Sequence, residues 1–271
     1  MKISAVVPTK NSIRTISSCL ESLRNQVDAE VEVIVVDNNS DDGTADVGRE
    51  LADIFISAGP ERSAQRNRGF EAGTGDVVFF IDSDMVLEPR VCADIVEVFT
   101  TQPNVGAVIV PERSFGEGFL ASCRELEKSL YVGDDDVEAA RAFPMAVFRT
   151  IGGWDETLTA AEDWDLSDRT RALGIEFARI NSWIWHDEGR ISLVAQYKKK
   201  QYYGRWVAEY LARHPEAKQH ISRPGVLSHS GTLIRQPLKT SGMVVLKAFE
   251  VAGLAKGMRN YSKSQRAGSA A

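Results

Sequence analysis

Two rhythms of apolar and polar positions run through the first 110 residues. Residues 3–8 and 31–36 are apolar runs of strand length, and between them Ile13, Ile16, Leu20 and Leu23 recur at helical spacing. The pattern predicts strands at 3–8, 31–36, 53–57, 77–81 and 105–110. It predicts helices at 12–26, 44–51, 61–73 and 90–101. The run Val77, Val78, Phe79, Phe80, Ile81 has no polar position, so it reads as a strand covered on both faces.

Strands and helices in this alternation form a mostly parallel sheet with helices on both sides. Ligands of such sheets gather at the carboxyl ends of the strands, where Thr9, Asp37 and Asp82 stand. The second half is less regular. A helix is expected at 119–130, an acidic turn at 133–136, strands at 142–148, 177–180 and 182–185, and a long helix at 190–212. Beyond Pro215 the pattern loosens, and residues 261–271 are small and polar, as in a frayed end.

Charge divides the chain more sharply than hydropathy does. Residues 1–188 carry 17 Lys and Arg against 35 Asp and Glu, a net −18; residues 189–271 carry 15 against 3, a net +12. Acidic pockets attract divalent cations, and basic tails attract phosphates or dock on their own acidic body. Composition leaves those two readings of the tail open. With 43% apolar and 26% charged residues the chain has the make-up of a soluble globular protein. Cys19, Cys92 and Cys123 are widely spaced in apolar helical patterns, which indicates neither a disulfide framework nor a zinc knuckle and fits a reducing compartment. Neither a signal peptide nor an uncharged run of about 20 residues is evident. A cytoplasmic location follows as the expectation.

Five segments carry chemistry. Asp82-Ser83-Asp84 follows the apolar strand, and strand alternation predicts that both carboxylates point one way, as a site for Mg2+ or Mn2+. The bland reading is a helix cap. Residues 37–44 form a strand-to-helix turn in which Asp41 or Asp42 serves the turn and Asp37 is freer for a nucleobase. Arg62, Arg66 and Arg68 lie within an acidic half; Arg62 and Arg66 share a helix face and suit phosphate, with one of the three on a solvated face. Gly152-Gly153-Trp154-Asp155-Glu156 offers a sharp turn and an indole that can face a sugar ring; Glu162-Asp163-Trp164-Asp165-Leu166 offers Asp163 as a general base, or simply an acidic first helical turn. His186, after an apolar strand, is either structural or a further metal ligand.

Together with Val6-Val7-Pro8-Thr9-Lys10-Asn11 and Arg66-Asn67-Arg68-Gly69, these segments occur in the order that resembles glycosyltransferase family 2, the inverting enzymes of the GT-A fold. The likeness covers residues 3–190. It implies a GT-A catalytic domain at 1–188, with a nucleotide-binding half at 1–112 and an acceptor-side half at 113–188; the basic, largely helical extension at 189–271 is not covered by the family's common core. The implied nucleotide contacts are Pro8, Thr9, Asp37, Asn39, Arg66, Asp82 and Ser83. Asp84 and His186 are the implied metal ligands, with Asp82 as an optional third, for Mg2+ or Mn2+. Asp163 is the implied base, and Trp154, Asp155 and Glu162 lie on the acceptor side. One departure stands out: an acidic residue common after the family's first strand is replaced by Lys10-Asn11-Ser12.

The implied reaction is inverting transfer of a sugar from a UDP- or GDP-sugar to a hydroxyl, in polysaccharide, glycolipid or cell-envelope glycan synthesis. A lipid-linked acceptor is one option, and no nucleic acid is expected. Rival readings are a nucleotidyltransferase, which would want a Gly-rich loop after the first strand, a nicotinamide oxidoreductase, which would want G-x-G-x-x-G there, and a silent nucleotide-sugar-binding protein. The segment Pro8-Thr9-Lys10-Asn11-Ser12 has no glycine. In the tail, Lys198, Lys199, Lys200 and Arg205 interleave with Tyr202, Tyr203, Trp206 and Tyr210. That mixture suits peripheral contact with the inner face of a membrane, or a helix that packs its aromatics on the catalytic domain.

Overall fold

The computed structural model describes residues 1–135, 137–214 and 230–268. They form two compact units, one of residues 1–113, 133–157 and 162–187, the other of residues 114–132, 158–161 and 188 onward.

The first unit is built on β1 (Lys2–Thr9), β2 (Glu30–Asp37), β3 (Ile54–Ser57), β4 (Val77–Phe80), β6 (Val105–Ile109), β8 (Ala140–Pro144) and β9 (Glu176–Arg179). Among the described residues these make a seven-stranded sheet in the order β3-β2-β1-β4-β8-β6-β9. β8 runs antiparallel to β4 and β6, and the other pairings are parallel. The mostly parallel sheet expected from the sequence is therefore present.

Strand alternation sorts the core into two layers. Ile3, Ala5 and Val7 of β1, Val33 and Val35 of β2, and Val77 and Phe79 of β4 face one side. There they meet Ile16, Cys19, Leu20 and Leu23 of α1 (Ile16–Arg24) and Val91, Cys92 and Ile95 of α4 (Val91–Thr101). Val6, Ile34, Val36, Val78 and Phe80 face the other side, against Phe148, Ile151, Trp154 and Leu166. That second layer includes α3 (Arg62–Ala72), α6 (Met145–Ile151) and α7 (Glu162–Ala172); α2 (Thr44–Leu51) follows β2. Helix α3 lies close on β1 because Gly69 faces Val6: a Cβ at that position would stand 2.2 Å from Val6 Cγ1.

A smaller sheet joins β5 (Met85–Leu87), β10 (Ile184–Arg190) and β7 (Glu112–Glu117) in the order β5-β10-β7. Antiparallel pairing of β5 with β10 sets His186 opposite Met85, next to the Asp82-Ser83-Asp84 turn.

The second unit holds α5 (Gly118–Ser129), α8 (Leu193–Arg213), α9 (Ser230–Arg235) and α10 (Pro237–Gly268). Glycines let α8 and α10 approach backbone to backbone: a Cβ on Gly253 or Gly257 would fall 2.3 Å from Tyr197 O or 2.2 Å from Gln201 O. A buried ion cluster links α5 to α10, where Arg124 pairs with both Glu127 and Glu250.

Three local expectations are corrected. Residues 142–148 are not one strand: β8 ends at Pro144, and α6 starts at Met145. Proline is at home just before a helix because its missing N–H and fixed φ do no harm there. The final strand runs over Ile184–Arg190 rather than 182–185. Residues 261–268 continue α10 instead of fraying; the expected end beyond Gly268, the tail from Pro215 to 229 and Asp136 of the acidic turn lie outside the described residues.

Candidate active site

The site grows from the carboxyl edge of the large sheet. Thr9 and Asp37 end β1 and β2 in direct register, and both are buried. Gln65 of α3 clamps the two strand ends, its amide donating to Thr9 O at 2.9 Å and Val36 O at 2.6 Å. The Thr9 hydroxyl oxygen is buried without a hydrogen-bond partner. Asp37 is less free than its position suggested, because its two carboxylate oxygens accept from the Ser40 backbone N–H and hydroxyl. Asp42 does serve the turn as expected, accepting from the Thr44 N–H and hydroxyl. Asn39 has a φ of 51° and accepts from the Ser57 hydroxyl. Pro8 is buried in β1, and Ser83 donates to the Ser12 hydroxyl at 2.9 Å.

Arg66 is the centre of the charge network. Its side chain is 2% exposed, and Nη2 donates to Asp82 Oδ1 at 2.8 Å. Nη1 lies 3.9 Å from Glu162 and 3.8 Å from Asp163, and neither Nε nor Nη1 has a hydrogen-bond partner. The shared face of Arg62 and Arg66 is real, since Arg62 Nη2 donates to the same Glu162 oxygen at 3.1 Å. Arg68 takes the solvated role, paired with Glu71 on the surface.

Asp82 faces Arg66 through Oδ1 and Arg141 through Oδ2, the latter at 3.7 Å. Burial works against its charge, but Arg66, Arg141 and Arg62 outweigh burial and hold its carboxyl well below the usual range. β4 ends at Phe80, so a turn and not strand alternation presents the Asp82 and Asp84 carboxylates. Asp84 Oδ2 lies 3.2 Å from His186 Nε2, while Asp84 Oδ1 is buried and accepts no hydrogen bond. Glu112 stands 3.9 Å behind His186 Nδ1 and binds Arg141 through the same carboxylate.

At the N-terminus of α7, Glu162 is 5% exposed and the Asp163 side chain 50%. Burial first, and then the neighbouring Asp163, push the Glu162 carboxyl up to about 7 against the pull of Arg62 and Arg66. Trp154 departs from the role expected for it. Its indole is 4% exposed, packs edge-on against Phe80, and is capped by the Arg66 guanidinium 4.4 Å from the ring centroid. An indole face already covered by a guanidinium is not a sugar platform; it is the floor on which Arg66 lies. Asp155 accepts from the Thr157 N–H at 2.8 Å and stabilises the turn.

The sequence model of glycosyl transferase family 2 matches residues 4–149. The chain belongs to glycosyl transferase family 2. Among curated relatives, an uncharacterized glycosyltransferase of Nostoc sp. is 35% identical over 115 residues, covering 40% of this chain and 36% of that protein. A glucosyl-dolichyl phosphate glucuronosyltransferase of Haloferax volcanii is 31% identical over 176 residues, covering 57% and 56%. The chain thus spans between about a third and somewhat over half the length of these relatives. The mannosyltransferase PcManGT of Pyrobaculum calidifontis, solved with GDP-Man and Mn2+, has the same fold at 18% identity. Its TM-score is 0.61 over 99% of this chain and 79% of that one. The fold is GT-A.

In this family 2 chain the residues present fit a divalent ion. Asp84 offers a hard carboxylate donor whose buried Oδ1 has no hydrogen bond, and its Oδ2 stands beside His186 Nε2, a borderline nitrogen donor that can join carboxylate and water oxygens around Mn2+ or Mg2+. Among the described residues no group of three or more His, Cys, Asp or Glu is arranged to hold a metal. Two protein ligands would leave the rest of such an ion's shell to water and phosphate, the usual habit of Mg2+. Asp82 is engaged by two arginines, Arg66 and Arg141, and also feels the charge of His186.

Gln65, Glu112 and Arg141 were not singled out in the sequence. Gln65 sits inside the arginine-rich segment and has its own signal, an amide on the sheet-facing side of a helix. Arg141 and Glu112 have none: Arg141 is a single charge in a short strand, and Glu112 opens a strand, Glu112–Glu117, whose charges follow no informative period.

Proposed function

We propose that this chain transfers a glycosyl group from a nucleoside-diphosphate sugar to an acceptor hydroxyl, with inversion at the anomeric carbon. The observation that carries the reading is the pairing of Asp84 and His186 in the unit that also holds the buried, incompletely hydrogen-bonded Arg66 and the half-exposed Asp163. This set offers partners to a metal diphosphate and to a hydroxyl. Family membership and the GDP-Man and Mn2+ bound by PcManGT support the same reading.

Thr9 and Asp37 hold the nucleobase and ribose, with Pro8, Asn39 and Ser83 shaping that edge. Arg66 presents Nε and Nη1 to phosphate oxygens, a task for which a planar guanidinium is preorganised. Asp84 and His186 would hold Mn2+ or Mg2+, which when bound supplies positive charge to the departing diphosphate. Asp163 accepts the proton of the acceptor hydroxyl as that oxygen bonds to the anomeric carbon and the carbon–phosphate oxygen bond breaks. The electron pair leaves with the nucleoside diphosphate. Asp155 and Glu162 support the acceptor side through the turn and the Arg62–Arg66 cluster. A UDP- or GDP-sugar is the donor, and the dolichyl phosphate-linked chemistry in the name of the Haloferax relative supports a lipid-linked acceptor.

The test is to incubate the purified chain with UDP- and GDP-sugars and Mn2+ and to measure what is released. Nucleoside diphosphate, with an inverted anomer in the proton NMR spectrum, is expected. Pyrophosphate from a nucleoside triphosphate, or no nucleotide binding by calorimetry, would overturn the reading.

A further inference from the structure

Helix α10 is apolar on two opposite faces, and only one of them is covered within its unit. The covered seam runs through Met243, Leu246, Glu250, Gly253 and Gly257, which meet α5 and α8. On the other side Leu238 is 75% exposed, Val244 59%, Val245 46% and Val251 60%. Ala248 and Ala252 are also exposed, and Phe249 is 39% exposed. Phe119 of α5, 54% exposed, has its ring against Gly242, and Ile234 of α9, the helix just before α10, is 77% exposed. A continuous strip of large aliphatic side chains in water marks a surface that another phase or molecule covers.

The charges beside the strip decide which. Lys256, Arg259 and Lys263 are exposed along the C-terminal half of the same helix, and Arg235 follows Ile234. The one acidic residue between 230 and 263 is Glu250, which is buried against Arg124. A second copy of the chain would bring these cations against their own kind. An anionic bilayer would meet the aliphatic strip with acyl chain and the cations with phosphate. No helix among the described residues is long and apolar enough to cross a membrane, and at 1.5 Å per residue α10 is about 48 Å long, a length that lies in an interface.

We propose that the exposed face of α10 docks on anionic phospholipid, its aliphatic strip entering the headgroup–acyl boundary and Lys256, Arg259 and Lys263 engaging lipid phosphates. This places the contact on α10, rather than on the Lys198–Tyr210 stretch that the sequence pattern brought forward. It does not depend on the reaction catalysed by the other unit.

The full chain would be sedimented with vesicles of phosphatidylcholine alone or mixed with phosphatidylglycerol, at low and high salt. Preference for the mixed vesicles by at least about tenfold, weakened by salt, is expected. The variant L238Q/V244Q/V251Q, altered only at exposed positions, should lose binding to both kinds of vesicle. K256Q/R259Q/K263Q should lose the preference and the salt dependence. A nitroxide on Ala248→Cys, read by its protection from a water-soluble relaxant in otherwise unaltered protein, should become buried when mixed vesicles are added. Absence of sedimentation at low salt, an unchanged aliphatic variant or a nitroxide that stays in water would overturn the proposal. So would a dimer, seen by ultracentrifugation, that the aliphatic variant abolishes. Nucleotide calorimetry on the same variants keeps this result separate from the glycosyl-transfer reading.

Discussion

The guanidinium of Arg66 lies over the indole of Trp154, 4.4 Å from its centroid, with Nη2 donating to Asp82. Stacking fixes the plane of the guanidinium, and the Asp82 bond fixes its rotation. Nε and Nη1 are buried without a hydrogen-bond partner, and under the proposed function they would turn to the diphosphate. Arg66→Lys keeps the charge but loses the plane and the fork. Nucleotide affinity should fall by about tenfold or more, since a charge-assisted bond contributes roughly 1.5–3 kcal/mol. Arg66→Met should also destabilise the fold by about 3 kcal/mol, because it deprives Asp82 of a buried partner. Calorimetry with UDP and GDP and urea unfolding would measure the two effects.

Asp163 differs from the carboxylates around it in being half open to solvent, 3.8 Å from Arg66. Asp163→Asn preserves shape and removes the carboxylate proposed as the base. Turnover should fall by roughly 10²–10⁴-fold with nucleotide affinity unchanged, the signature of a lost proton acceptor. Rates of nucleoside diphosphate release would check this, and near-normal release would assign the proton to another group.

Glu162 makes stability depend on pH in a direction unlike that of most carboxylates. Its folded value of about 7 lies above the ordinary 4.5. The folded state therefore holds this proton more tightly than the unfolded chain does. The resulting stabilisation is complete below about 4.5 and is lost as pH rises through about 7. Glu162→Gln, which stays neutral throughout, should gain on the wild type between about pH 5 and pH 8 by on the order of 1–3 kcal/mol. Urea unfolding of both proteins at the two pH values would show it; a constant difference would mean that Glu162 is not so perturbed.

The site was more legible in the sequence as a set of acids and arginines than as a network. Buried strands announce themselves as apolar runs, so β1, β2 and β4 and the acids at or beyond their ends were readable from short-range pattern alone. The role of Trp154 was not, because nothing near it in sequence shows that Arg66 covers its face. Arg141 was silent for a similar reason: its partner Glu112 is 29 residues away, just beyond β6, and the pairing of β6 with β8 brings the two segments together. β5 spans three residues, too few for any periodicity, yet its pairing with β10 is what brings His186 to Asp84.

The Asp84–His186 contact predicts a metal-dependent phenotype with a readout other than turnover. Asp84→Asn and His186→Ala should each weaken Mn2+-dependent nucleotide binding by at least about tenfold, since loss of even supporting groups around a metal has effects of that size. Binding measured without Mn2+ should be unaffected. Calorimetric titrations with and without Mn2+ would separate the two, and equal heats in wild type and variants would exclude this pair as the ion's holder.

Gly69 couples packing to the site. It sits three residues after Arg66 on α3 and faces Val6, and a Cβ added there would stand 2.2 Å from Val6 Cγ1 and 3.0 Å from Cγ2. Val6 is fully buried in β1 and its branched side chain has no room to turn aside. Gly69→Ala must therefore lift α3 from the sheet, with an expected loss of about 1–3 kcal/mol. The same movement would withdraw Gln65 from Thr9 and Val36 and shift Arg66 from Trp154, so nucleotide affinity should fall although no ligand contact has been removed. Val6→Ala in the same chain reopens the space. If steric lifting is the cause, the double variant should recover much of the affinity that Gly69→Ala alone loses, a coupling that unfolding and calorimetry would both register. Additive losses would mean that Gly69 acts through the unfolded chain instead.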